Sequence, residues 1–128
     1  MASISGQPAV TADRKANEAL TKYRFVNLVS GDTESVELTD AQANNDVAFG
    51  VTIADYASGE VATMAVDGIC KVEAGEAIAQ DALVAPGAAG VAMTADTGNH
   101  PRGRVRGKAA SASGDVIEIQ LLDQQAVA

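Results

Sequence analysis

The chain has 128 residues, a formal net charge of −8 and a 47% hydrophobic content dominated by Ala and Val, with only Tyr23, Phe25, Phe49 and Tyr56 as aromatics and no Trp. That length suits one domain with a small core. The acidity argues against a general nucleic-acid-binding role, and no apolar run approaches the roughly 20 residues that span a bilayer. A core of small side chains buries little apolar area per residue, so a lone subunit is expected to be marginal and to gain from oligomerisation. The N-terminal MASISGQPAV lacks a basic-then-apolar leader pattern. The single Cys70 excludes an internal disulfide, reads as a small buried hydrophobe and fits synthesis in a reducing cytoplasm.

Residues 1–22 read as a flexible arm: the first 17 are rich in Ser, Ala, Thr and Gly, with Pro8 and no sustained apolar period, and residues 16–23 offer at most a short Ala-rich helix that depends on packing. Residues 23–29, YRFVNLV, are rich in β-formers and predict the first strand. After a turn at Ser30, Gly31 and Asp32, Val36 and Leu38 alternate with Ser35 and Glu37 in a second. The polar residues 39–46 predict an exposed loop. Val47, Phe49, Val51 and Ile53 then alternate with small residues, which predicts a third strand that lets a neighbour come close.

Residues 60–84 carry the clearest strand pattern. Met64, Val66, Cys70 and Val72 fall on one face and Thr63, Asp67, Lys71 and Glu73 on the other, with Gly68 marking a bend between two short strands or within one long one. Ala74, Gly75 and Glu76 turn the chain, a short strand is expected over residues 77–79, and another begins at Leu83 and Val84. The cluster from Pro86 to Gly90 predicts a hairpin to residues 91–93. Residues 94–101 form a polar loop with the only histidine, His100, expected in solvent and without a metal partner. Arg104, Arg106 and Lys108 alternate with Val105, Gly107 and Ala109, so a strand here places three cations on one face. Ile117, Ile119 and Leu121 alternate in the last strand, before a flexible tail at residues 123–128.

About eight short strands and no long amphipathic helix predict an all-β fold: a small antiparallel β-barrel or β-sandwich over residues 23–122 with an extended N-terminal arm. Catalytic signatures are missing. There is no G-x-S-x-G, H-E-x-x-H, phosphate-loop or dinucleotide pattern, and Glu73 and Glu76 flank a turn glycine as solvated acids. Neither an enzyme, a cofactor nor a metal site is expected. The Val-, Gly- and Glu-rich texture is shared with lipoyl- or biotinyl-type domains, but Lys71 lies within a strand pattern, away from any hairpin tip. An oligomeric β-barrel binding module for small molecules is the alternative, and four aromatics supply little for its pocket.

Three segments, in order, carry a family likeness: Phe49-Gly50-Val51 followed by Ala57-Ser58-Gly59-Glu60; then Val66, Gly68, Ile69, Lys71, Val72, Ala74, Gly75, Ala77 and Ile78; and then Gly103-Arg104, Ala109-Ala110, Gly114-Asp115 and Ile117-Glu118-Ile119 with Leu121-Leu122. The chain resembles the capsid decoration, or head cement, proteins of tailed bacteriophages. That resemblance implies a homotrimer on the outer surface of the virion, made in the host cytoplasm. It would seat over junctions between major capsid protein subunits and resist internal DNA pressure, with neither nucleic acid nor membrane as a partner. Contacts to the capsid or a neighbouring subunit are expected from Arg102, Arg104, Arg106 and Lys108, and from Ser3, Ile4, Pro8 and Val10 of the arm.

Overall fold

In the computed structural model, residues 10–29, 32–39, 48–95 and 101–122 are described, and they form ten strands where about eight were expected. Five close into a barrel: β1 (Val10–Ala16), β2 (Phe25–Val29), β3 (Asp32–Leu38), β4 (Gly50–Thr52) and β5 (Val61–Asp67), in the order β1-β3-β2-β4-β5. The remaining five make a second sheet: β6 (Ile69–Glu73), β7 (Leu83–Pro86), β8 (Ala92–Thr94), β9 (Gly103–Val105) and β10 (Val116–Leu121), in the order β6-β10-β9-β7-β8. Among the described residues no helix is long and apolar enough to cross a membrane.

The arm assigned to residues 1–22 is corrected from Val10 onward. Val10–Ala16 is barrel strand β1, antiparallel to β5 from Thr11 opposite Ala65 to Lys15 opposite Val61. It meets β3 only through the parallel pairs Lys15 with Ser35 and Ala16 with Val36, so one seam of the barrel rests on a two-residue ladder. Nor do the residues after it form a helix: the Leu20 and Tyr56 N–H groups donate to each other's carbonyls at 2.8 and 2.9 Å, joining two loops across one end of the barrel. The third strand is also shorter than expected. Only Gly50–Thr52 pairs, and all three residues are buried. A Cβ on Gly50 would lie 2.5 Å from the Ala65 carbonyl oxygen, so the small residue is what allows β4 and β5 to approach.

Gly68, with φ 93°, turns the chain from β5 into β6 and so from the barrel into the second sheet. This divides the apolar face read from the sequence. Ala62 and Met64 pack inside the barrel with Ala16, Leu20, Val26 and Val36, while Val72 and Cys70 join a different core. That second core is shared: Phe25, Val51 and Ala65 on the barrel's flank meet Val72, Val84, Val105, Ile117, Ile119 and Leu121 from the inner face of the sheet. The hairpin expected after Leu83 is present as β7 and β8, joined by a 3-10 turn at Ala88–Gly90. Gly90, with φ 80°, sits where a Cβ would come within 2.5 Å of the Phe25 carbonyl oxygen, so the hairpin tip packs directly on the start of β2. The short strand expected at residues 77–79 reduces to one bridge, Ile78 with Ala110.

Candidate functional site

The four cations near the end of the chain do not form one patch. Arg102 points inward and is 7% exposed. Its Nε donates to the Ala48 carbonyl at 3.2 Å, its Nη1 to Leu122 O at 2.7 Å, and its Nη2 to Val66 O at 2.6 Å and Phe49 O at 3.3 Å. The planar fork thus collects carbonyls from the approach to β4, from β5 and from the end of β10, a geometry an ammonium cannot reproduce. Its own backbone completes the junction, donating to Val84 O and accepting from Leu122 N. As an exposed contact residue Arg102 is corrected: it ties the barrel to the sheet.

A second tie lies where β2 begins. Arg24 Nη2 donates to Glu73 Oε2 at 3.1 Å and Nη1 to the Ala89 carbonyl at 2.9 Å, joining barrel, β6 and hairpin turn. Glu73 is therefore a bonded acid at a junction, and Glu76 accepts from the Thr94 N–H at 2.9 Å, capping the outer edge of β8. Thr39 Oγ1 adds a third tie by donating to Gly87 O at 2.9 Å.

What remains on the surface is the outer face of the second sheet. Ile117, Ile119, Leu121 and Val105 point to the shared core, so Val116, Glu118, Gln120 and Arg104 point outward. Register then builds rows across the face. Gln120 pairs with Ile69 on one side and Arg104 on the other, and Arg104 pairs with Leu83. In the next row Lys71 stands opposite Glu118, whose carbonyl accepts from the Arg106 N–H at 3.0 Å. Val116 continues the outward positions of β10 and is 49% exposed. Only Arg104 of the expected three lies within a strand; Arg106 and Lys108 follow its end.

The charges on this face are only partly answered from within the molecule. Arg104 Nη1 donates to a neutral acceptor, the Asp81 carbonyl, at 2.8 Å, and Arg106 Nε to the Gln120 side-chain oxygen at 3.0 Å. The one ion pair on this face among the described residues, Arg106 with Asp81 at 3.6 Å, is exposed on both sides, and such pairs contribute about 0–1 kcal/mol. Lys71 is exposed and has no ion pair among the described residues. Near Lys108, the Asp115 carboxyl is held below its ordinary value chiefly by the Ser111 backbone N–H, then by the Ser111 hydroxyl and the Ala112 N–H, with Lys108 a lesser cause.

Of the expected arm contacts, Val10 is the first residue of β1 with its side chain 60% exposed, while Ser3, Ile4 and Pro8 lie outside the described residues, as do His100 and the tail at 123–128. Cys70 is half-buried beneath the second sheet, and burial pushes its thiol from 9.0 up to about 12 despite the opposing pull of Arg102. Among the described residues no three His, Cys, Asp or Glu side chains are placed to hold a metal ion.

The model of the phage cement protein family matches residues 4–121. The chain belongs to that family. It is a structural protein of the phage head, associated with the capsid. Among solved structures, the head fiber gp8.5 N base in bacteriophage phi29 superposes with a TM-score of 0.71, covering 91% of this chain and 96% of that one at 18% identity. At that identity the likeness establishes the shared fold. No curated protein matches the chain.

Sequence reasoning missed β1, the inward course of Arg102 and the place of Lys71 beside the late cations. For β1 a faint signal exists, since Ala12, Arg14 and Ala16 alternate with exposed Thr11, Asp13 and Lys15. For Lys71 there is none, because its neighbours are set by the pairing of β6 with β10, almost fifty residues away in the chain.

Proposed function

We propose that the protein binds, as a homotrimer, to the outer surface of a tailed-phage head at junctions between major capsid protein subunits, and that it holds the expanded shell against internal DNA pressure. The observation that carries this reading is the family match over residues 4–121, nearly the whole chain. The physics of the fold is in keeping with it: among the described residues the barrel's own core contains only Ala16, Leu20, Val26, Val36, Ala62 and Met64 as buried apolar groups, so contact with other subunits adds burial that one copy lacks. A ligand of the expanded shell that ignores the unexpanded or broken one stabilises it by mass action, by about 2.7 kcal/mol per site at a hundred times the dissociation constant. No chemistry is required for that role, only a surface and a state-selective site.

The test is to mix purified protein with expanded empty heads and with unexpanded heads and to sediment both. Saturable, stoichiometric retention on expanded heads, with a raised temperature of head disruption, is the expected result. Equal retention on both forms, or none on expanded heads, would contradict it.

A further inference from the structure

The two halves of the molecule differ in charge. Up to Gly68 the described residues hold eight acids and four cations, and from Ile69 onward five of each. Of the later five cations Arg102 is used internally, and the other four lie on or beside the outer face of the second sheet. That face is also apolar in part: Val116 is half exposed, and Ile69 and Leu83 are incompletely covered at the two ends of the row that holds Gln120 and Arg104. No element of the described chain packs over it. Strand β1 lies on the other flank, contributing Ala16 to the barrel's own core and nothing to the core shared with the sheet. The molecule therefore has two distinguishable sides, an acidic barrel and a sheet face where Arg104 is anchored by a neutral carbonyl, Arg106 has one exposed ion pair, and Lys71, opposite Glu118, has no ion pair among the described residues.

We propose that the protein docks on the head through the outer face of the second sheet, with Lys71, Arg104 and Arg106 meeting an acidic surface of the shell protein around an apolar contact at Val116. This rests on the cement reading and adds to it the face and the chemistry of the partner. Neutral anchors matter here. The Asp81 carbonyl holds the Arg104 guanidinium in place without cancelling its charge, and the Gln120 amide oxygen orients Arg106, whose exposed pair with the Asp81 carboxylate at 3.6 Å answers it only weakly, so little rotamer freedom is lost when a partner carboxylate arrives. Charge complementarity of this kind acts mainly on encounter and register. The barrel, turned outward, would then carry the excess negative charge into solvent.

The experiment compares association with expanded heads for the parent, Lys71→Glu, Arg106→Glu, the pair combined, and Lys15→Glu. The last makes the same change of charge on exposed β1. Lys71 has no ion pair among the described residues, but Lys71→Glu sets a second carboxylate opposite Glu118, so Lys71→Gln is included to separate docking from folding, and thermal unfolding of each free protein is measured alongside. Expected are an association rate lowered roughly tenfold in the combined variant at low salt, a flatter dependence on ionic strength, slower association with unchanged unfolding for Lys71→Gln, and a Lys15→Glu protein that attaches like the parent. Equal attachment by parent and sheet variants, or equal slowing by Lys15→Glu, overturns the assignment of the face while leaving the cement reading intact. Retention on duplex DNA with the same charge dependence would overturn the acidic-protein partner. A parent that fails to attach at all would sink both readings.

Discussion

The barrel and the second sheet solve the burial problem differently. The barrel wraps its apolar residues inward and keeps a small core to itself, whereas the sheet has a single apolar face that is covered because it lies across β2, β4 and β5. The larger of the two cores belongs to neither half alone. Phe25, the largest fully buried side chain, is in that shared core, while Met64 is the largest in the barrel's own. Such an arrangement leaves the sheet with one face that no other described element covers, and it makes the contacts between the halves the most sensitive part of the fold.

The comparison breaks most completely at β1. Deleting residues 1–9 spares all five barrel strands, so that protein is expected to unfold in one transition like the parent. Deleting residues 1–16 removes the strand that closes β5 to β3 and exposes Val36, Ala62 and Met64. The longer deletion is expected to lose native chemical-shift dispersion throughout, because the shared core depends on the barrel's flank. A dispersed spectrum from the longer deletion would show that the sheet folds without its platform.

Next in size is the Arg102 tie. Arg102→Ala strands a buried carbonyl at Ala48 and partly buried ones at Phe49, Val66 and Leu122, and a fully buried polar group left unanswered costs about 1–3 kcal/mol before relaxation. A loss of about 3 kcal/mol or more in urea unfolding is expected, a large share of the roughly 5–15 kcal/mol of an ordinary domain. Arg102→Lys should recover only part of it, since a single ammonium cannot span the four acceptors.

Gly90→Ala probes the same junction at the hairpin. Its φ of 80° and the Phe25 oxygen 2.5 Å from the position of a Cβ combine a backbone cost with a steric one. The expected loss is about 2–4 kcal/mol. Gly59→Ala has a similar φ, 91°, but nothing within 4 Å, so it isolates the backbone part and should cost about 1–2 kcal/mol.

The smallest effect is that of Cys70. Its thiol is held neutral in the folded protein, with a pKa of about 12 against an ordinary 9.0. A raised folded value means that its contribution to stability is complete below pH 9, declines as the unfolded chain ionises, and is gone above pH 12. Alkylation at pH 8 is expected to be slow in the native state and fast in urea, and Cys70→Ala should flatten the alkaline limb of the stability curve.

The second sheet was more legible in the sequence than the barrel, and particular residues show why. Strand β10 has a clean alternation of Ile117, Ile119 and Leu121, the hairpin β7–β8 has its Pro86-Gly87 cluster, and Gly68 stands at the bend it predicts. These signals are local. In β1 the inward positions are taken by Ala12 and Arg14, whose side chain lies 4.9 Å over the Phe49 ring, so the apolar period is disguised by a cation. Arg102 follows Pro101 and precedes Gly103 in a stretch with three other basic residues, and composition there favours the surface. Its burial is dictated by carbonyls from three distant segments, which no window along the chain displays. The family likeness, resting on the order of glycines and aliphatics, survived these misreadings because those residues mark bends and close approaches such as Gly50 and Gly68, whatever the identity of the strands between them.

The most direct measurement is a map of the decorated head by electron cryo-microscopy, at a resolution that separates strands. Density is expected on the outside of the expanded shell with the β6-β10-β9 face against the capsid, Val116 at the contact and β1 in solvent. A barrel seated against the shell with Lys71 and Arg106 facing outward, or density confined to the inside of the head, would contradict it.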